Sequence, residues 1–440
     1  MGRLKRYHYA CKRLHGILNA RITAEPIYEL KTAFSRHAYL CAEHTSSLRT
    51  RVGEMREPPL RLEAVPDPHL EIFFDEILAA PTTAGLLVGL YEQAFPALDA
   101  ALRRHLEVTN WLADAPTVRW IRFARLELAD MMAFGARAVA QLVEGPSRAE
   151  LAPWLTLLED CLAAAGQLDG SAPPATKSVT RYHSARPYVY QPVPRRDERF
   201  ADPWNQAVNA EAFLYDPDLP ARAKTLMMYF KRLREIDVPE MMASIIAQTK
   251  DKPWTYYRDM ARQLWDEARH AMMGEVGFAS SGVDWRLARI TWNWSYRLNT
   301  ECQPLERHAV LYFIEQGLMD KRGKRYEWEV GRESGDPLAA TFQDYDWADE
   351  VLHARVGRDW YVSAIGDVAQ AVTYGDECWS RITTNWRTVR DQGLTQHENW
   401  WPALYCSACR NWGTEPDARA LAFNTTYEST RADLKTVPAE

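Results

Sequence analysis

Apolar residues recur at helical spacing over most of the chain, and no strand-like alternation of any length interrupts them. Helical stretches are expected at about 25–57, 68–80, 83–108, 116–144 and 148–166. Pro58-Pro59, Pro81, the 113–116 region and Gly145-Pro146 punctuate them. Between 167 and 206 the pattern breaks. Gly170, Pro173, Pro174, Pro187, Pro192, Pro194 and Pro203 predict an extended connector, and Tyr182, Tyr188, Tyr190 and Phe200 should hold it along a surface. The helical pattern returns at about 219–249, 253–278, 283–318 and 334–365, with a further helix near 366–392. The expected fold class is all-α. A helical N-terminal domain (1–166) and the connector (167–206) precede a four-helix bundle (207–410) and an irregular C-terminal tail (411–440).

Two of the returning helices carry nearly the same words. Asp266-Glu267-Ala-Arg-His270-Ala-Met-Met-Gly274 and Asp349-Glu350-Val-Leu-His353-Ala-Arg-Val-Gly357 are both Asp-Glu-x-x-His-Ala-x-x-Gly. Glu and His three apart share a helix face, so each pair can hold one metal ion. Gly274 and Gly357 fall on the His face, where a missing side chain permits close helix approach. One Glu-x-x-His on a helix is common; two identical blocks are a pattern.

A site for two ions needs one more carboxylate per half. Glu240 upstream of the first block and Glu315 upstream of the second are spaced for two helical arms and a turn, and both sit in apolar stripes. The stripe around Glu240 is Leu233, Ile236, Ala243 and Ala247; that around Glu315 is Leu311, Tyr312, Leu318 and Met319. A Glu in such a stripe is costly unless paired or metal-bound. Glu235 rivals Glu240 but lies about 140° round the helix, so both cannot serve without distortion. Pro239, just before Glu240, should bend that helix and leaves the choice open, with Glu240 favoured. Glu306 is a weaker rival of Glu315. His308, on the face of Glu315, is expected to be a packing residue. Asp266 and Asp349 are assigned to accept hydrogen bonds from the ligand imidazoles across the bundle. Four Glu and two His make a hard donor set suited to iron or manganese.

Composition trims the options. A net charge of −6 provides no basic field for nucleic acid. Seven scattered cysteines suggest no disulfide framework and point to a reducing cytoplasm, and the lone Cys406-x-x-Cys409 is read as free thiols. No apolar run is long enough to span a membrane, and the basic N-terminus (Arg3, Lys5, Arg6, Lys12, Arg13) lacks the apolar core of a signal peptide. Glu43-His44 and His37 lie on one N-terminal helix without a second Glu-x-x-His, so that domain is expected to shape a pocket or a homodimer interface.

Over about 220–362 the chain resembles the ferritin-like di-iron carboxylate superfamily. It is most similar to a poorly characterised bacterial family with an Arg- and Pro-rich lead-in, here Ala185-Arg186-Pro187 to Phe200. Its Glu helices look like Arg234-Glu235-Ile236-Asp237-Val238-Pro239-Glu240-Met241 and Ile314-Glu315-Gln316-Gly317-Leu318. The resemblance implies a ferritin-like bundle with Glu240, Glu267, His270, Glu315, Glu350 and His353 as metal ligands and catalytic centre. It implies two Fe ions (or Mn/Fe), O2 and an external electron donor, either a protein or a small reductant, acting on a small-molecule substrate. The expected function is a di-iron oxygenase or oxidase performing hydroxylation, desaturation, N-oxygenation, C–C cleavage or halogenation, a chemistry suited to specialised metabolism. A ferroxidase and a non-catalytic scaffold with a retained metal site are the alternatives.

Overall fold

The computed structural model describes residues 1–320, 323–383 and 386–427. Among them there are helices and no strand. The side chain of Leu318, expected in the stripe around Glu315, and the tail beyond 427 lie outside the described residues.

The chain divides into two compact units. Unit 1 comprises Met1–Arg21 and Arg36–Tyr190, and unit 2 comprises Ile22–Ser35 and the chain from Gln191 onward. This departs from the contiguous 1–166 domain and 167–206 connector. Local bonds explain why the connector is divided. In unit 1, buried Glu76 accepts the backbone N–H groups of Tyr182, His183 and Ser184 at 2.7–3.0 Å, which fixes the first part of the connector. In unit 2, Thr23 Oγ1 donates to the Gln191 carbonyl at 2.6 Å and Arg199 forks onto Glu29 at 2.7 Å, which fixes the second part.

Unit 1 is built from α1 (Gly2–Arg21), most of α2 (Tyr28–Met55), α3 (Pro68–Leu78), α4 (Thr83–Val88), α5 (Phe95–Val108), α6 (Ala115–Leu142) and α7 (Gly145–Ala164). Asp67 and Thr82 cap α3 and α4 by accepting from the His69 and Gly85 N–H groups. His37 is buried here, bonded to Tyr91 Oη at 2.8 Å and packed edge-on against Phe95 and Phe134. It is a core histidine.

Unit 2 contains α8 (Ala210–Leu214), α9 (Ala221–Arg234), α10 (Asp237–Gln248), α11 (Trp254–Ser280), α12 (Asn293–Glu301), α13 (Pro304–Asp320), α14 (Gly323–Glu333) and α15 (Pro337–Gly357). The short α16 (Ser363–Ile365), α17 (Val368–Thr383), α18 (Trp386–Asp391), α19 (Trp401–Trp412) and α20 (Ala418–Leu421) follow. Two expected long helices are broken. The 283–318 stretch becomes α12 and α13, with Pro304 opening the second. The 219–249 stretch becomes α9 and α10, separated at Glu235-Ile236. There the N–H groups of Glu235 and Ile236 bond to carbonyls three residues back, a tightened last turn. Pro239 then lies in the first turn of α10, where its missing N–H costs nothing.

The block glycines set the helix spacing. A Cβ on Gly274 would stand 2.2 Å from Leu233 N and 2.5 Å from the Tyr229 carbonyl, so α11 presses backbone to backbone on α9. A Cβ on Gly357 would stand 2.4 Å from the Tyr312 ring of α13.

Candidate metal centre

α11 and α15 bring the two blocks face to face. The imidazole rings of His270 and His353 lie 5.8 Å apart by centroid, and both are fully buried. Each ring turns Nε2 toward the partner helix's Asp and Nδ1 inward. His270 Nε2 is 3.2 Å from Asp349, and His353 Nε2 is 3.5 Å from Asp266. Arg269 ties these two Asp together, at 2.5 Å from Asp266 and 2.7 Å from Asp349.

The inward nitrogens face carboxylates. His353 Nδ1 lies 3.1 Å from Glu267, 3.4 Å from Glu350 and 3.8 Å from Glu315. His270 Nδ1 lies 3.4 Å from Glu235, 3.5 Å from Glu267 and 3.6 Å from Asp346. Glu267 therefore spans both groups, with Oε1 toward His353 and Oε2 toward His270. Ligand atoms of Glu267, Glu315, Glu350 and His353 fall within 4.8 Å of one another, as do those of Glu235, His270 and Asp346.

Electrostatics reinforce the picture. Burial alone would lower the His270 pKa, but Asp349, Glu235 and Glu267 outweigh it and raise it to about 10. His353 is raised well above its ordinary value against the same burial, by Asp266, Glu267 and Glu350. Burial raises Glu267, yet the two imidazoles pull it below the carboxylate range. Such a cluster demands positive charge, and protons on the imidazoles or metal ions at Nδ1 both supply it. Metal ions fit better on one observation: the Nδ1 atoms of both His, Glu235 Oε2 and Glu350 Oε2 are buried without a hydrogen-bond partner, as is His353 Nε2 on the Asp266 side.

Of the expected ligands, the structure brings together Glu267, His270, Glu315, Glu350 and His353. Glu240 does not join them. It is fully buried elsewhere, bonded to Arg196 at 2.9 Å, Lys31 at 2.9 Å and Ser295 at 3.0 Å. Glu235 takes the position expected for Glu240, because the break after α9 leaves Glu235 beside the blocks and starts α10 in a new direction. Glu306 pairs with Arg381 at 2.9 Å, away from the centre. His308 is a buried packing residue between Tyr361 and Tyr256, and burial pushes its pKa down to about 4. Cys406 and Cys409 sit on helix α19 as free thiols, like every cysteine of the chain.

Four participants were not expected. Asp346 lies one turn before Glu350 on α15 and completes the His270 group. Gln263, one turn before Glu267, donates to Glu315 at 3.2 Å. Buried Arg232 holds Glu235 at 2.9 Å and also bonds Asp346, while Lys324 of α14 reaches Asp346 at 2.8 Å and Glu350 at 2.9 Å. The helical period hints at Asp346 and Gln263, since each shares a face with a block Glu. Lys324 carried no such signal, being one of four cations in Lys321-Arg322-Gly-Lys324-Arg325.

Comparison with protein-family models, curated proteins and solved structures finds no match for this chain.

Proposed function

We propose that unit 2 is a ferritin-like di-metal carboxylate bundle and that the protein is a non-haem oxidoreductase using O2 to oxidise a small organic substrate. The supporting observation is the crossed pair of Glu-x-x-His blocks, whose inward nitrogens lie unbonded among four buried carboxylates and the partly exposed Glu235. Iron, or manganese with iron, suits this hard oxygen-and-imidazole donor set and would supply one-electron redox and O2 activation when bound.

The chain's own contribution is positioning and exclusion of water. His353, Glu315 and Glu350 would hold one ion, His270, Glu235 and Asp346 the other, and Glu267 would reach both. Asp349 bonds His270 Nε2 and Asp266 lies 3.5 Å from His353 Nε2, so that both Nδ1 atoms face inward. All of these ligands except the partly exposed Glu235 are buried, which limits the access of bulk water to the reacting groups. Electrons would come from a donor outside the chain, whose sequence offers no second redox motif. No helix among the described residues is long and apolar enough to cross a membrane. The seven free cysteines accord with a reducing cytoplasm.

Anaerobic loading with Fe(II), followed by O2 and a panel of small organic substrates, tests this reading. The expected result is at most two ions per chain and O2 consumption that continues beyond oxidation of the bound iron only when a substrate is present. Uptake of many irons per chain would instead identify a ferroxidase. Failure to bind any metal would remove the whole reading.

A further inference from the structure

The two halves of the centre are chemically unequal. The blocks repeat, so Glu267 and Glu350 occupy corresponding positions on α11 and α15. Glu267 uses one oxygen for each half. Glu350 does not: Oε2 faces His353 Nδ1, but Oε1 is taken by Lys324 Nζ at 2.9 Å. The same ammonium bonds both oxygens of Asp346, at 3.0 and 2.8 Å. Arg232 adds its charge to Asp346 and to Glu235 Oε1. The His270 half thus has two carboxylates of its own, and both already face cations. Among the described residues, Glu267 and Glu315 on the His353 half face no Lys or Arg within ion-pair distance, and Glu350 meets Lys324 through one oxygen only.

We propose that Lys324 is a built-in counter-cation of the His270 half, so that the chain binds one divalent ion tightly at the His353 half and a second only when Lys324 Nζ leaves Asp346. Burying like charges a few ångströms apart is costly, so a divalent ion and the ammonium exclude one another there. Lys324 is well placed to be displaced rather than deleted: its flexible four-carbon stem lets the ammonium swing, whereas Arg232 is a rigid fork held at three carboxylates. The His270 half would then be occupied conditionally.

This inference rests on the metal-centre reading above, and one titration separates the two. Full-length protein is titrated anaerobically with Fe(II), and in parallel with Co(II) as an optical probe of coordination. The wild type should bind one ion per chain tightly and a second at least 100-fold more weakly. Lys324→Met should narrow that gap at least tenfold, while Arg325→Met, a neighbouring surface change, should leave it unaltered. Two ions of equal affinity in the wild type would overturn the role of Lys324 even if the Met variant fails to fold. An unchanged gap in a folded Lys324→Met protein would do the same. Absence of any tight ion would overturn the metal-centre reading itself, and this inference with it.

Discussion

Gly274→Ala is the sharpest probe of how the fold sets the centre. The added methyl carbon would lie 2.2 Å from Leu233 N and 2.8 Å from Leu233 Cα, against an ordinary contact of about 3.4 Å or more. The obstacle is backbone, so no rotamer change relieves it, and α9 must retreat from α11 by about 1 Å. Overpacking of this kind costs roughly 1–3 kcal/mol, and the upper end applies where backbone must move. At about 2–4 °C per kcal/mol for a unit of this size, the thermal transition of unit 2 should fall by roughly 6–12 °C. The shift also reaches the centre, because Glu235 follows Leu233 by two residues and lies 3.4 Å from His270 Nδ1. Metal–ligand distances tolerate only about 0.2 Å, so the His270 half should lose its ion while the His353 half keeps its own. Calorimetry and anaerobic metal titration read the two effects separately. Gly16→Ala is the control: nothing lies within 4 Å of a Cβ there, and the helix should gain up to about 1 kcal/mol from the better helix former. A Gly274→Ala protein that melts with the wild type and binds the same ions would refute this account of the α9–α11 contact.

Three further outcomes follow from the geometry. Asp266→Asn and Asp349→Asn should each weaken metal binding by about 10–100-fold, Asp266 acting on the His353 half and Asp349 on the His270 half, as site-resolved Co(II) spectra would show. Glu235→Gln should weaken the ion at His270, whereas Glu240→Gln should leave metal stoichiometry intact and cost about 3 kcal/mol or more by stranding Lys31 and Arg196, measured by urea unfolding. Unit 1 should lose stability on mild acidification. Burial lowers His15 to about 4 and His37 to about 3 from an ordinary 6.5, so as pH falls below 6.5 the unfolded chain takes up protons that the folded chain refuses. At pH 5 that penalty is about 2 kcal/mol for each His, and His15→Gln should remove its share; an unfolding free energy that does not change between pH 7 and 5 would contradict the burial argument.

What the chain disclosed in its letters, and what it hid, divides along physical lines. The blocks were legible because Glu-x-x-His encodes a shared helix face, and Gly274 and Gly357 because a repeated small residue marks close approach. The unit boundary was not, because it depends on long-range bonds. Thr23 with Gln191 and Glu29 with Arg199 draw Ile22–Ser35 into unit 2, across a separation in sequence that no local pattern reports.

The misassignment of Glu240 is instructive about what a helical period can and cannot say. Leu233, Ile236, Ala243 and Ala247 keep an apolar rhythm across 233–247, so the rhythm alone extends one helix through both Glu235 and Glu240. Pro239 was the sign that it does not, but proline has two meanings: inside a helix it bends, and in the first turn it begins. The structure takes the second, and the distinction decides the chemistry. A bend would have kept Glu240 near the blocks. A new start frees it to face Arg196 and Lys31, and leaves the last residue before the break, Glu235, beside His270. The same break explains the cations at the centre. Arg232 lies one turn before Glu235 on α9, so the segment that delivers the ligand also delivers a charge that competes with the metal for it. The unequal halves are thus a consequence of how α9 ends.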